Sequence, residues 1–188
     1  MLFLDRNEVA ANLDGMRLLD VLADGFKAMT SRDGIAAPDR SELVIGDKGR
    51  LLTMQAHAAS RPVGTKLVSI FPGNAQAGLP SHLALIILVD ADTGAPLAVM
   101  DGTHITAMRT AGAAVLAAKL LARPDARVMT ILGAGVQGHA HLELMTQHFH
   151  FETIYIGSRD RASAERLAAR DPRAVVTDDD EAAVRRSD

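Results

Sequence analysis

Three glycines, Gly133, Gly135 and Gly138, stand in the run Ile131-Leu-Gly-Ala-Gly-Val-Gln-Gly with the spacing Gly-x-Gly-x-x-Gly. That spacing lets a pyrophosphate lie against the backbone of a strand-to-helix turn. Gly133 permits the tight turn, Gly135 removes the Cβ that would block the phosphates, and Gly138 lets the helix pack close to the strand. The amide groups and the positive helix end then face the anion. Gly133, Ala134, Gly135, Val136, Gln137 and Gly138 are accordingly the candidate cofactor-binding residues of the loop.

The chemistry needs a strand before the loop and a helix after it, and both are written in the chain. The apolar run Arg127 to Leu132 predicts a buried strand, and a helical pattern opens at Val136 and carries Leu142, Leu144 and Met145. A second strand, Glu152 to Ile156, follows at the distance expected of a β-α-β unit. An NAD site places Asp or Glu just after that strand to bond the ribose 2′-hydroxyl, whereas here the residues are Gly157, Ser158, Arg159, Asp160 and Arg161. A hydroxyl and two guanidiniums suit a 2′-phosphate, so Ser158, Arg159 and Arg161 favour NADP(H) over NAD(H). Asp160 turned inward would reverse that preference.

The 188 residues are 48% hydrophobic with a net charge of −3, which describes a globular chain without the basic footprint of a nucleic-acid binder. The absence of cysteine excludes disulfides, thiol nucleophiles and thiolate metal sites, and fits a cytoplasmic protein. Charge arrives at Asp5 and Arg6, too early for a signal peptide, and no apolar run approaches membrane-spanning length. No Gly-x-Ser-x-Gly or P-loop pattern occurs.

Upstream of the loop, Leu2 to Leu4 reads as a strand, Asp5 as a helix cap, and Asp14 to Met29 as an amphipathic helix. From Arg40 to Val99 the pattern turns to β, with runs at Ser41–Ile45, Arg50–Ala56, Gly64–Ile70, Leu83–Asp90 and Pro96–Met100. An alanine-rich helix between Thr103 and Ala122 follows, its small side chains suited to close packing, and Pro124 marks a boundary. The expectation is an α/β chain: a mixed α+β domain over residues 1–122, rich in antiparallel strand neighbours, then the first half of a Rossmann domain over residues 123–188. One half leaves the first Rossmann strand with an open edge, the mark of a chain truncated within that domain.

Across nearly its whole length the chain resembles the ornithine cyclodeaminase/mu-crystallin family. The resemblance lies in ordered blocks: Gly64-Thr-Lys66-Leu-Val68, Phe71-Pro-Gly-Asn74, Gly78-Leu-Pro-Ser81-His82, Asp90 to Ala98, Met100-Asp101-Gly102 and Ile105 to Ala111, followed by the glycine loop. It implies a substrate and dimerisation domain, hence a homodimer through the N-terminal domain, joined to a Rossmann domain. The implied activity is NAD(P)-dependent oxidoreduction at the carbon–nitrogen bond of a small amino acid or cyclic imine. By the same resemblance Arg40 and Lys66 hold the substrate carboxylate, Lys66 also exchanges a proton with the substrate nitrogen, and Met54 lines the pocket. Arg109 lies where cofactor meets substrate, and Ser81 lies near the cofactor. Ser69-Ile-Phe71-Pro72-Gly73-Asn74 stands where cyclodeaminases carry an Asn-x-His-Pro-like segment, so ketimine or pyrroline-carboxylate reduction is favoured. The alternatives are a cyclodeaminase forming proline and ammonia, a non-catalytic NADPH-dependent binder, and an inactive fragment.

Two other clusters have plainer readings. His139, His141, His148 and His150 surround one helix without an i,i+4 histidine pair, which describes a polar helix rather than a metal site. In the acidic run Asp178 to Glu181, the spacing makes Asp178 the cap of a helix, with Arg185 and Arg186 at its C-terminal end.

Overall fold

A computed structural model describes residues 1–31 and 34–188. The chain folds as two compact units, Met1–Asp14 with Ala23–Thr106, and Gly15–Leu22 with Ala107–Asp188. This division falls inside the alanine-rich helix, earlier than the position marked by Pro124, and it assigns the first half of the preceding long helix to the second unit.

The first unit is built on a seven-stranded sheet. Its strands are β1 (Leu2–Leu4), β2 (Ile35–Ala36), β3 (Ser41–Ile45), β4 (Gly49–Ala58), β5 (Val63–Ile70), β6 (His82–Val89) and β7 (Pro96–Asp101). The order is β1-β7-β6-β5-β4-β2, with β3 also paired to β4. Only β1 with β7 is parallel; the other pairs are antiparallel, as the short connections between β3 and β7 require. Helix α1 (Arg6–Asn12) is closed by a capping box in which Asp5 accepts from Glu8 N–H and the Glu8 carboxylate accepts from Asp5 N–H.

Strand alternation sorts the sheet into two unlike faces. Leu52, Val68 and Ala84 form one buried row, with Met54 and Ile70 packed beside them. Leu43, Leu51, Leu67, Leu85 and Val99 share the other face, where Phe3, Leu43, Leu83 and Leu85 remain exposed. The expected turn after β5 is a 3-10 segment, Pro72–Ala77, tied down by the Asn74 side chain donating to Pro80 O at 2.9 Å.

In the second unit a parallel three-stranded sheet has the order β10-β9-β8, formed by β8 (Val128–Leu132), β9 (Thr153–Gly157) and β10 (Ala174–Val176). Helices α4 (Val136–His148), α5 (Arg161–Ala168) and α6 (Asp180–Arg186) complete the alternation expected of half a doubly wound fold. Ile154, Ile156, Ala164 and Leu167 are wholly buried at its centre. Helix α3 (Gly102–Leu121) buries Ala111 and Val115 completely. The close packing predicted for its small residues is found at Gly112, where an added Cβ would lie 2.7 Å from Leu22 Cδ1 in helix α2 (Gly15–Thr30). At the far edge of β8, Asp188 N–H donates to Val128 O at 3.1 Å, and the Asp188 carboxylate accepts from Val128 N–H at 2.9 Å.

The acidic run folds one residue out of the expected register. The cap of α6 is Asp179, whose side chain accepts from Ala182 N–H at 2.9 Å, and not Asp178. Thr177 sets this phase: its hydroxyl accepts from Asp179 N–H and donates to Asp179 O, a short turn that delivers Asp179 to the helix start.

Candidate functional site

The glycine loop is shaped for an anion. β8 ends at Leu132, and Gly133 turns the chain with φ +112, a conformation that side chains resist. Gly133 N–H is secured by Gly157 O at 2.7 Å, which ties the loop to the end of β9. An added Cβ at Gly135 would meet nothing, so the backbone there faces open space. At Gly138 a Cβ would collide with the Gly133 carbonyl and stand 3.2 Å from Leu167 Cδ2. Gly135 caps α4 without any side-chain hydrogen bond, leaving the amide groups of the first turn available. Gly133, Gly135, Gln137, Gly138 and His141 line a cleft of about 420 Å³. Ala134 is buried beneath the loop, while Val136 and Gln137 are exposed at its mouth. This pattern, open over Gly135 and closed under Gly138, fits a pyrophosphate carried on the helix N-terminus.

Ser158, Arg159, Asp160 and Arg161 gather at the tip of β9. Asp160 has turned to cap α5, accepting from Ser163 N–H, and the Ser163 hydroxyl and backbone hold its carboxyl below the usual range. It is therefore engaged away from a ribose. Arg159 is exposed with no ion-pair partner among the described residues. Arg161 is engaged: Nη1 donates to Asp178 at 2.5 and 2.6 Å, and Nε donates to Glu165 at 3.0 Å. The sequence pattern did not reveal Asp178 as this partner. The signal lay in topology, because β10 lies beside β9 and brings the segment after β10 to the same tip.

In the first unit, strand register pairs two of the expected residues directly, and a third stands beside the start of the adjoining strand. Met54 on β4 and Lys66 on β5 are direct partners, and Ile86 on β6 continues the row. Arg40 immediately precedes Ser41, whose partner is Thr53, the residue before Met54. Met54 and Lys66 are half-buried and Arg40 is exposed. Ser81 stands elsewhere: Phe71 N–H donates to its carbonyl at 2.8 Å, which sets it five residues along β5 from Lys66, on the order of 16 Å. Its hydroxyl lies 3.0 Å from His82 Nδ1. Arg109 belongs to the second unit, exposed on α3.

The helix histidines are not gathered into a cage. Among the described residues no group of three or more metal-ligating side chains occurs. His139 lies 3.4 Å from Arg170 Nη1, and burial with the charges of Arg170 and Arg166 keeps its pKa low. His148 is held low by burial first and by Lys119 second. No helix among the described residues is long and apolar enough to cross a membrane.

A β-α-β-α-β unit with an open glycine turn has the architecture of a dinucleotide-binding fold, and the chain carries it together with an antiparallel-rich α+β unit. The chain belongs to the ornithine cyclodeaminase/mu-crystallin family, which it matches over residues 1–188. It is 37% identical over 172 residues to the ketimine reductase mu-crystallin of Mus musculus, covering 89% of this chain and 55% of that protein. The Delta(1)-pyrroline-2-carboxylate reductase of Thermococcus litoralis, solved with NADH and L-proline, superposes with a TM-score of 0.93 at 30% identity, covering all of this chain and 60% of that one. An archaeal alanine dehydrogenase dimer with bound NAD superposes with a TM-score of 0.87 at 31% identity, over 94% of this chain and 56% of that one. The chain thus spans somewhat more than half the length of these relatives.

Proposed function

We propose that the protein containing this chain is an NAD(P)-dependent oxidoreductase that reduces a cyclic imino acid of the ketimine or pyrroline-carboxylate type. The observation that carries the reading is the direct pairing of Met54 with Lys66, with Arg40 beside the start of β3, in a chain that also holds an open glycine loop. A guanidinium fork and an ammonium on neighbouring parts of a sheet suit a carboxylate, and the half-buried Met54 paired with Lys66 offers apolar contact to a small ring. The bound coenzyme supplies hydride to the imine carbon. Lys66, donor-only when charged, orients the carboxylate and exchanges a proton with the nitrogen as the carbon–nitrogen double bond becomes single. By the family resemblance Arg109 and Ser81 serve the coenzyme. Ser158 and Arg159 give the preference for NADP(H), with Asp160 withdrawn as a cap.

The substrate and dimerisation role falls to residues 1–122 and the nucleotide role to residues 123–188. The exposed Phe3, Leu43, Leu83 and Leu85 give the first region an apolar sheet face for a second copy. Leu85→Lys is expected to leave a monomer in sedimentation where the parent protein is a dimer; a monomeric parent at micromolar concentration refutes the pairing.

The deciding assay is reduction of pyrroline-2-carboxylate by the full-length protein, beside Lys66→Met. The variant is expected to lose at least about a hundredfold in kcat/KM, through loss of a charged hydrogen bond and a proton relay. A parent protein that binds NADPH and reduces no cyclic imine refutes the reductase reading and supports a non-catalytic binder.

A further inference from the structure

The tip of β9 carries one cation more than it presents. Four aspartates surround it, and their positions are distinct. Asp160 and Asp179 cap α5 and α6. Asp180 places its carboxylate against Gly157, at the spot a side chain there would fill. Asp178 caps nothing and holds both carboxylate oxygens on Arg161 Nη1, while Glu165 fixes Arg161 Nε from the next turn of α5. The Thr177 N–H donates to Ile156 O at 3.0 Å, so the segment bearing Asp178 is bonded directly to the last turn of β9 before Ser158.

We propose that Asp178 is a coenzyme-discriminating residue: by holding Arg161 it withholds the second guanidinium from a 2′-phosphate, keeping the preference for NADP(H) small and NAD(H) usable. The inference rests on the dinucleotide reading above. A 2′-phosphate and the Asp178 carboxylate compete for the same guanidinium. Both partners are mostly exposed, with side-chain accessibilities of 59% and 78%, so the clamp is weak enough to tune affinity rather than abolish it. Arg159 remains the permanent contact and Arg161 the conditional one.

The test is direct binding of NADH and NADPH to the full chain, followed by coenzyme fluorescence at low salt. The variants are Asp178→Asn, Asp178→Ser, and each combined with Arg161→Gln. Each Asp178 variant is expected to tighten NADPH about fivefold relative to NADH, and the gain is expected to vanish when Arg161→Gln is added. An unchanged ratio in the single variants overturns the proposal. A gain that survives Arg161→Gln also overturns it, since relief of repulsion then suffices without Arg161. If the parent and every variant bind neither coenzyme, the dinucleotide reading falls and the inference with it.

Discussion

Gly135 and Gly138 lie three residues apart in one turn, yet the structure gives them opposite responses to the same added methyl group. Alanine at Gly138 drives its Cβ into the Gly133 carbonyl and against Leu167, a wholly buried side chain of α5. The Gly133 carbonyl cannot yield without moving the strand-to-helix turn, so overpacking of about 2 kcal/mol is expected. For a chain of this size that lowers Tm by about 4–8 °C. Alanine at Gly135 meets nothing, and φ −87 with ψ −165 suits any residue, so the change in stability stays within about 1 kcal/mol, the poorer helix cap. Its methyl group instead occupies the space where a pyrophosphate must approach. Losing one charged backbone hydrogen bond, about 2 kcal/mol, weakens NADPH binding about thirtyfold. Thermal melting and coenzyme fluorescence of the two variants therefore separate packing from recognition. If Gly135→Ala binds NADPH as the parent does, the loop does not hold phosphates. If Gly138→Ala melts with the parent, the contact under the helix has been misjudged.

Two further perturbations follow from buried charge. Asp171 is 9% exposed and accepts from Arg173 Nε, Nη2 and N–H at 2.8, 2.5 and 2.9 Å, which holds its carboxyl below the ordinary range. A depressed carboxyl contributes stability that is present at neutral pH and lost as pH falls below about 4 through the folded value. Asp171→Asn should remove about 2 kcal/mol at pH 7 and flatten the acid limb of a denaturation series; an unaltered acid limb rejects the assignment. His148 has a buried Nε2 without a hydrogen-bond partner among the described residues, and burial, with Lys119 nearby, disfavours its charged form in the folded state. Its stabilising contribution is complete above about pH 6.5 and declines as pH falls through the folded value. His148→Gln should reduce the loss of stability between pH 7 and 5, and equal slopes for variant and parent would remove His148 from the account.

The glycine loop and the residues around β4 and β5 differed in how far the chain alone disclosed them, for a physical reason. The glycine loop is local: strand, turn and helix adjoin in sequence, and each glycine answers a steric demand set by its own neighbours. The strand at Val128–Leu132 and the helix opening at Val136 therefore match the pattern closely. The placing of Arg40, Met54 and Lys66 is nonlocal. Periodicity puts each residue in or beside a strand, but a one-residue slip of β4 against β5 would send Met54 and Lys66 to different partners. Register exists only once the sheet is formed.

The displaced cap at Asp179 and the hidden partner of Arg161 have the same origin. In a run of three aspartates, spacing to Glu181 selects Asp178, while the Thr177 turn and the bond from Thr177 to β9 select Asp179. That one-residue shift releases Asp178 from the helix and turns it toward Arg161. A residue expected to bind a 2′-phosphate thereby acquires a carboxylate competitor that no local rule could supply. On the proposed competition, Arg159 and Arg161 favour NADP only as far as Asp178 leaves Arg161 free. The proposal makes coenzyme choice in this chain depend on two adjacent strand ends, those of β9 and β10, which a fingerprint read along β9 alone does not contain.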